Sequence, residues 1–403
     1  MSTGGLSERG LRRMHAVMSA HVERGDVPGL VTLVSRRGEV HVDAVGTTAA
    51  GGGGGEAMAA DTIFRISSMT KPVTAVATLV LLEECAFRLD EPVARLLPEL
   101  ADRRVLRRLD SPLSDAVPAD RPVTVRDLLT FTMGLGSVLA APGTYPIQAA
   151  LVEQLNDGPP SPQAAPDPDE WMRRLGELPL VAQPGERWMY NTSADVLGVL
   201  VARAAGMPLE AFLRERIFEP LGMIDTGFSV PGSKLTRFGP SYWTDPATSR
   251  LGVYDEAEGL WSRPPKFASG AGGLVSTAVD YAAFGEMLLN GGKRLGAQIL
   301  SRPTVELMTA DQLSEGQKAG AGLLEGYFES HGWGFGVSVV TKRRDLCDSV
   351  GKYGWDGGMG TSWYSDPRED MVTILMTPRM WTSPEPPGVL RDFWTLAYAA
   401  IED

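Results

Sequence analysis

Strand-forming segments lie at the two ends of this 403-residue chain, and a long helical block separates them. Near the start, 29–35 and 39–45 have the β-branched, apolar texture of strands, and Arg37-Gly38 between them is a hairpin signal. Near the end, 334–340, 361–364 and 371–376 read as further strands. From about residue 90 to 232 helical periodicity takes over, notably at 125–130, 194–205 and 209–217. Segments 6–27, 74–85, 280–290 and 389–401 also repeat at helical spacing. A chain arranged this way must bring its ends together to build one layer of sheet and helices. The expected organisation is an α/β lobe from 1–62 and 270–403, with a mainly helical lobe, 63–269, inserted into it. A site between such lobes is the default place for a pocket. Two stretches break the pattern. Segment 156–169 carries five prolines and reads as an irregular loop. The glycine run 51–55 lacks the strand–G-x-G-x-x-G–helix context of a phosphate cradle and reads as a flexible surface loop.

Composition excludes several classes of function. The net charge is −12, and the longest basic run is Lys342-Arg343-Arg344, so no nucleic-acid footprint is present. That triplet reads as a solvated turn. No run of about 18 apolar residues occurs, so no membrane partner is expected. Arg9, Arg12 and Arg13 are followed by no apolar signal core, which makes a cytoplasmic chain the expectation. Cys85 and Cys347 are too few for a disulfide framework and are expected to be buried thiols. The four histidines, His15, His21, His41 and His331, form no ligand-spaced motif, so neither metal nor cofactor is called for. His331 reads as a loop residue that can line the pocket.

Three motifs carry chemistry. Ser68-Met69-Thr70-Lys71 opens the apolar helix, and residues three apart share a helix face, so Lys71 projects beside Ser68. A serine hydroxyl needs a base, and lysine can act as one near neutrality only if its pKa falls well below about 10.4. Alone, the spacing also fits an ordinary helix cap with Lys71 in solvent. The second motif, Tyr190-Asn191-Thr192, follows the turn Pro184-Gly185 and precedes a helix. It places a phenol where the lobes meet, able to relay a proton if it lies near Lys71. The third, Gly354-Trp355-Asp356-Gly357-Gly358-Met359-Gly360, lets backbone approach a ligand closely. An edge strand there could donate an N–H to an oxyanion, although a bulge or tight turn uses glycine equally well.

In this order the motifs resemble those of class C β-lactamases, penicillin-binding-type peptidases and the family VIII carboxylesterases. Val123-Thr124-Val125-Arg126-Asp127-Leu128-Leu129-Thr130, Pro220-Leu221-Gly222-Met223 and Ala271-Gly272-Gly273-Leu274-Val275-Ser276-Thr277 agree, and the likeness runs from Gly29 to Pro378. The resemblance implies an α+β fold: an antiparallel sheet flanked by terminal helices, with the helical lobe inserted. It also implies that Ser68 is acylated, that Lys71 and Tyr190 share the base role, and that the N–H groups of Ser68 and Gly358 form the oxyanion hole. Trp355, Asp356, Gly357 and Asn191 become the substrate-binding positions. Two departures matter. The residue two after the tyrosine is usually Asn, whereas here Thr192 stands there and Asn191 comes one place early. The usual Lys-Thr-Gly or His-Thr-Gly is Trp355-Asp356-Gly357, similar to the Trp-x-Gly of the esterases. That exchange removes the cation that would meet a β-lactam carboxylate, and Asp356 adds a repelling charge.

The expectation is therefore a serine carboxylesterase acting on small esters, with an acyltransferase as the alternative within the same chemistry. A β-lactamase or D-Ala carboxypeptidase, and a non-catalytic scaffold of the same fold, stand behind these. The intact Ser68, Lys71 and Tyr190 argue against the scaffold. Oligomeric state is not legible.

Overall fold

The computed structural model describes residues 4–51, 55–248, 250–321 and 326–403; the centre of the glycine run, 52–54, lies outside them. The first helix, α1 (Glu8–Glu23), starts where the Ser7 hydroxyl accepts the Gly10 N–H. It is followed by β1 (Gly29–Arg36) and β2 (Glu39–Gly46). The turn between these strands holds Arg37 at φ 51° and Gly38 at φ 79°. Two successive left-handed residues suit the twist of a two-residue hairpin, which is why Arg-Gly punctuates the sequence there. The helical block contributes α2 (Thr70–Glu83) and α3 (Thr192–Ala205), which pack on each other, and α4 (Ala278–Leu289) follows it. The chain closes with β3 (His331–Trp333), β4 (Ser338–Val340), β5 (Tyr353–Gly357), β6 (Thr361–Asp366), β7 (Met371–Met376) and α5 (Gly388–Ala399).

These seven strands form one antiparallel sheet in the order β3-β4-β5-β6-β7-β1-β2. The N-terminal hairpin therefore docks on the last strand, with Val31 opposite Met376 and Arg36 opposite Met371. Alternation explains the apolar texture of β1 and β7. Val31, Leu33, Val372 and Ile374 join the core that includes α4, while Leu30, Val34, Met371 and Leu375 face α1 and α5. Strands covered on both faces have no polar side to show. Each such fully buried side chain contributes roughly 1.5–3 kcal/mol. The core under α4 runs without a break into the helical block, where it takes in Val76 of α2 and Leu197 of α3.

The structure corrects some expectations. Segment 334–340 is not one strand: Gly334 N–H bonds to the Val337 carbonyl, Gly336 turns at φ 70°, and 334–337 form the turn between β3 and β4, leaving only Ser338–Val340 as strand. His331 accordingly lies on a strand rather than a loop. Segment 209–217 is helical only to Leu213 and then widens into a π turn, Arg214–Phe218. The helix expected over 74–85 starts at Thr70 and ends at Glu83, so Cys85 lies beyond its end at φ 59° and is exposed. Only Cys347 is buried. Strand β5 is interior to the sheet rather than an edge. Its pairing with β4 stops at Gly354, however, so its Trp355–Gly357 end is unpaired on that side.

Candidate active site

Ser68 stands on a single 3-10 turn, Ser67–Met69, that runs directly into α2. Ser67 is held at φ 45°, an uncommon conformation for a residue other than glycine. Its surroundings enforce it. Ile66 N–H bonds to the Leu274 carbonyl at 3.0 Å, Thr70 Oγ1 donates to the Ser67 carbonyl at 2.6 Å, and the buried Tyr281 hydroxyl donates to the Met69 carbonyl at 2.6 Å. Ser68 is thereby left half-exposed on a turn whose other residues are buried.

Lys71 lies one turn on, its Nζ 2.9 Å from Ser68 Oγ and 2.7 Å from the Ala271 carbonyl. It is 1% exposed. Burial pulls its pKa down to about 7, against the carboxylates of Asp195 and Asp157, which act in the opposite direction. The ammonium also sits 4.5 Å from the centre of the Tyr190 ring. The Tyr190 hydroxyl bonds with Ser68 and accepts a 2.8 Å hydrogen bond from Trp355 Nε1. Burial holds this phenol well above the usual tyrosine range, so it keeps its proton. Burial thus acts on the pair in opposite senses, favouring the neutral amine of Lys71 and the neutral phenol of Tyr190.

Strand β5 presses its free end against the turn that carries Ser68. A Cβ on Gly357 would overlap the Ile66 carbonyl oxygen, and Thr361 Oγ1 donates to that same oxygen at 3.2 Å. Gly357 therefore permits a close approach and does not itself line the cavity. Gly358 does line it. Its carbonyl is taken by Trp381 N–H at 2.9 Å, and its own N–H has no hydrogen-bond partner among the described residues. Ser68, in the first turn of its helix, has an N–H with no partner inside that turn. The two amides meet the chemical requirement of an oxyanion hole.

The remaining predicted positions surround these. Trp355 packs edge-on against Trp333 at 4.7 Å, within a cluster that includes Phe131, Trp188 and Tyr327. Asn191 turns at φ 84° and donates to Asp157 Oδ1 at 3.1 Å, so its amide nitrogen is already engaged. Thr192 is buried as the first residue of α3. Burial pushes the Asp356 acid up to about 6, and the Tyr364 hydroxyl bonds its Oδ2 at 3.0 Å. His331 stacks on Tyr327 at 4.6 Å and faces the cavity.

Sequence reasoning missed two buried carboxylates. Asp195, in the first turn of α3, accepts from Ser269 Oγ at 2.6 Å and from the Ala271 N–H at 3.1 Å, and so fixes the peptide that holds Lys71. A lone acid opening an otherwise apolar helix was a readable signal for it. Asp157 comes from the proline-rich loop and also accepts from Ser137 Oγ at 2.9 Å. Nothing in its neighbourhood in sequence marks it. Burial raises both acids.

These groups open onto a cavity of about 860 Å³. One half is apolar, walled by Val138, Leu139, Val152, Leu155, Pro160 and Trp171. The other runs past Gly358 to Tyr364, Trp381 and Trp394. Among the described residues no cluster of three His, Cys, Asp or Glu side chains could hold a metal.

Comparison with known proteins finds relatives along most of the chain. Protein Rv1367c of Mycobacterium tuberculosis (strain ATCC 25618 / H37Rv) is 37% identical over 360 residues, covering 88% of this chain and 86% of its own. Esterase EstB of Burkholderia gladioli is 30% identical over 387 residues, 91% of this chain and 89% of its own. The fold matches that of EstCE1, described as a hydrolase with promiscuous acyltransferase activity, at a TM-score of 0.76, with 23% identity and 98% of each chain covered. It also matches simvastatin synthase from Aspergillus terreus at 0.77, with 23% identity and 98% of each chain. The Beta-lactamase family model matches residues 14–390, and the chain belongs to that family.

Proposed function

We propose that the protein is a serine hydrolase of carboxylic esters that works through an acyl-enzyme on Ser68. The observation that carries this is the contact of a buried Lys71 Nζ with Ser68 Oγ, beside a phenol that keeps its proton. Neutral Lys71 takes the Ser68 proton as Oγ attacks the ester carbonyl. The N–H groups of Ser68 and Gly358 receive the charge that develops on the carbonyl oxygen. Tyr190 gives its proton to the departing alcohol and takes up the proton that Lys71 removed from Ser68, so both groups return to their starting state. Water then attacks the acyl-enzyme by the same steps in reverse. Trp355, where a lactamase-like pattern has a cation, supplies an apolar wall and an indole N–H to Tyr190. The esterase name of the Burkholderia gladioli relative supports the reading.

Acyl transfer to an alcohol is the second branch of the same chemistry. A cavity of about 860 Å³ has room for an acceptor beside a small acyl group. The description of EstCE1 and the name of a relative, monacolin J acid methylbutanoyltransferase of Aspergillus terreus, 28% identical over 362 residues, are in keeping with it. A cytoplasmic setting belongs to the same proposal and is supported by two unpaired cysteines. No single helix among the described residues is long and apolar enough to cross a membrane.

A fluorophosphonate tests the reading. One label per chain is expected, mapped to Ser68 and absent from Ser68→Ala, with loss of p-nitrophenyl butyrate hydrolysis in step. Labelling at Ser67 or Ser193, or full activity in Ser68→Ala, would reject it.

A further inference from the structure

Two carboxylates in the apolar half of the cavity are each only half engaged. Asp157 accepts from Ser137 and Asn191 on Oδ1 alone, and Asp195 accepts from Ser269 and the Ala271 N–H on Oδ1 alone. Both residues are partly exposed and line the cavity. Each Oδ2 has no hydrogen-bond partner among the described residues, and neither is sealed away from the cavity. The two acids lie close enough to oppose each other's charge, and both act on Lys71. The loop that carries Asp157 closes over the turn of Ser68. The Tyr254 hydroxyl donates to the Pro160 carbonyl at 2.9 Å, and a Cβ on Gly272 would stand 3.7 Å from Pro160 Cγ and 3.9 Å from Ser67 Oγ. The free oxygens therefore stand beside the reacting centre.

The charge around them states what they would hold. The lysine and the arginine that line the cavity, Lys352 and Arg391, both stand at its α5 end, the first against Tyr364 and Trp394 and the second on α5 itself. Among the described residues the cation that acts on the pair is Lys71, and on the ester-hydrolase reading Lys71 works as the neutral amine. In the working form, two neighbouring carboxylates then face a half-cavity whose other walls are apolar, with Trp171 stacked on Phe267 at 5.0 Å. Buried charge without a partner is costly, and a like charge beside it adds to the cost. An ammonium group answers both, with N–H donors for the free oxygens and a positive charge between them. A hydroxyl would supply one donor and no charge.

We propose that the free oxygens of Asp157 and Asp195 form a subsite for an ammonium group, and that the esters this protein cleaves carry a positive charge. The inference rests on the ester-hydrolase reading. The ammonium belongs either to the acyl part or to the alcohol part, and a pair of substrates for each part tells the two apart.

The test sets each cationic ester against a neutral one of the same shape, as kcat/KM at pH about 7 divided by the rate of alkaline hydrolysis. The β-alanine ester of p-nitrophenol against p-nitrophenyl butyrate reads the acyl part. The 2-(dimethylamino)ethyl ester of butyrate against the 3-methylbutyl ester reads the alcohol part. In the wild type at least one pair is expected to favour its cationic member about tenfold or more, the scale of one hydrogen bond between charged groups. Asp157→Asn keeps an oxygen for Ser137 and Asn191, and is expected to narrow that preference about fivefold or more. A ratio taken within one protein is not moved by a change in the Lys71 pKa, which acts on both members alike. No preference for the cationic member in either pair, or a preference unchanged in Asp157→Asn, would overturn the subsite while leaving the hydrolase in place. A wild-type protein that turned over none of these esters would overturn the hydrolase reading and this one with it.

Discussion

Replacing Asp195 with Asn separates the two things this carboxylate does. Its Oδ1 accepts from Ser269 and from the Ala271 N–H, and an amide oxygen can keep both bonds. Its charge, which holds the Lys71 pKa up, is lost. A carboxylate within about 4–6 Å of a cation shifts a pKa by roughly 1–3 units. Asp195 reaches Lys71 across the Ala271 peptide rather than directly, so the lower end applies: about one unit, or about 1.4 kcal/mol. The neutral amine is the active form. Activity should therefore fall on the acid side of about pH 7 in the wild type, and on the acid side of about pH 6 in the variant. At pH 6 the wild type would keep about a tenth of its plateau and the variant about half of its own. The assay is kcat/KM for p-nitrophenyl butyrate across the neutral range, with melting temperatures to confirm that both proteins stay folded. An acid limb that does not move, or that moves upward, would refute the coupling. A wild-type profile without a limb near neutrality would place the base elsewhere than Lys71.

Other outcomes follow from the same geometry. Gly357→Ala must drive its methyl into the Ile66 carbonyl, so kcat should drop at least about 100-fold, the scale of losing an oxyanion donor, and the melting temperature should fall with it. Trp355→Phe keeps the wall but removes the indole donor to Tyr190; kcat/KM should fall about tenfold with little change in melting temperature, and an unchanged rate would make that bond structural only. p-Nitrophenyl butyrate should be turned over at least about 100-fold better than nitrocefin in kcat/KM, because Trp355 cannot meet a carboxylate and Lys352 is already held by Cys347 and three rings; parity would show that some cation does serve the anion.

What could be read beforehand and what could not divides by distance along the chain. The hairpin at Arg37-Gly38, the strand 371–376 and the pairing of Ser68 with Lys71 are set by neighbours a few residues apart, and local pattern reaches that far. The turn at 334–337 depends on Gly336, whose N–H bonds to the Leu129 carbonyl in the helical block, a contact that no local pattern announces. The exposure of Cys85 followed from where α2 stops, and helix ends are the least legible feature of an apolar run. Asp157 was hidden for a third reason. Its loop is irregular, and it becomes part of the site only because Ser137 and Asn191 come to it. Even Asp356, read as a repelling charge, changed meaning once Lys352 and Tyr364 stood beside it.

The seam between β1 and β7 also sets an order of assembly. β1 sits between β2 and β7, and Val31 finds its partner only in Met376. During synthesis the first hairpin must wait, half its hydrogen bonds unmade and one flank bare, until almost the whole chain has emerged. Near the two ends, Ser7 N–H bonds to the Ala400 carbonyl and Glu402 N–H to that of Gly5, so the last helix and the first close the same seam. A chain re-ordered to begin at an exposed loop of the helical block, with its present ends joined by a short linker, would turn that late closure into a local one and should fold with fewer trapped intermediates.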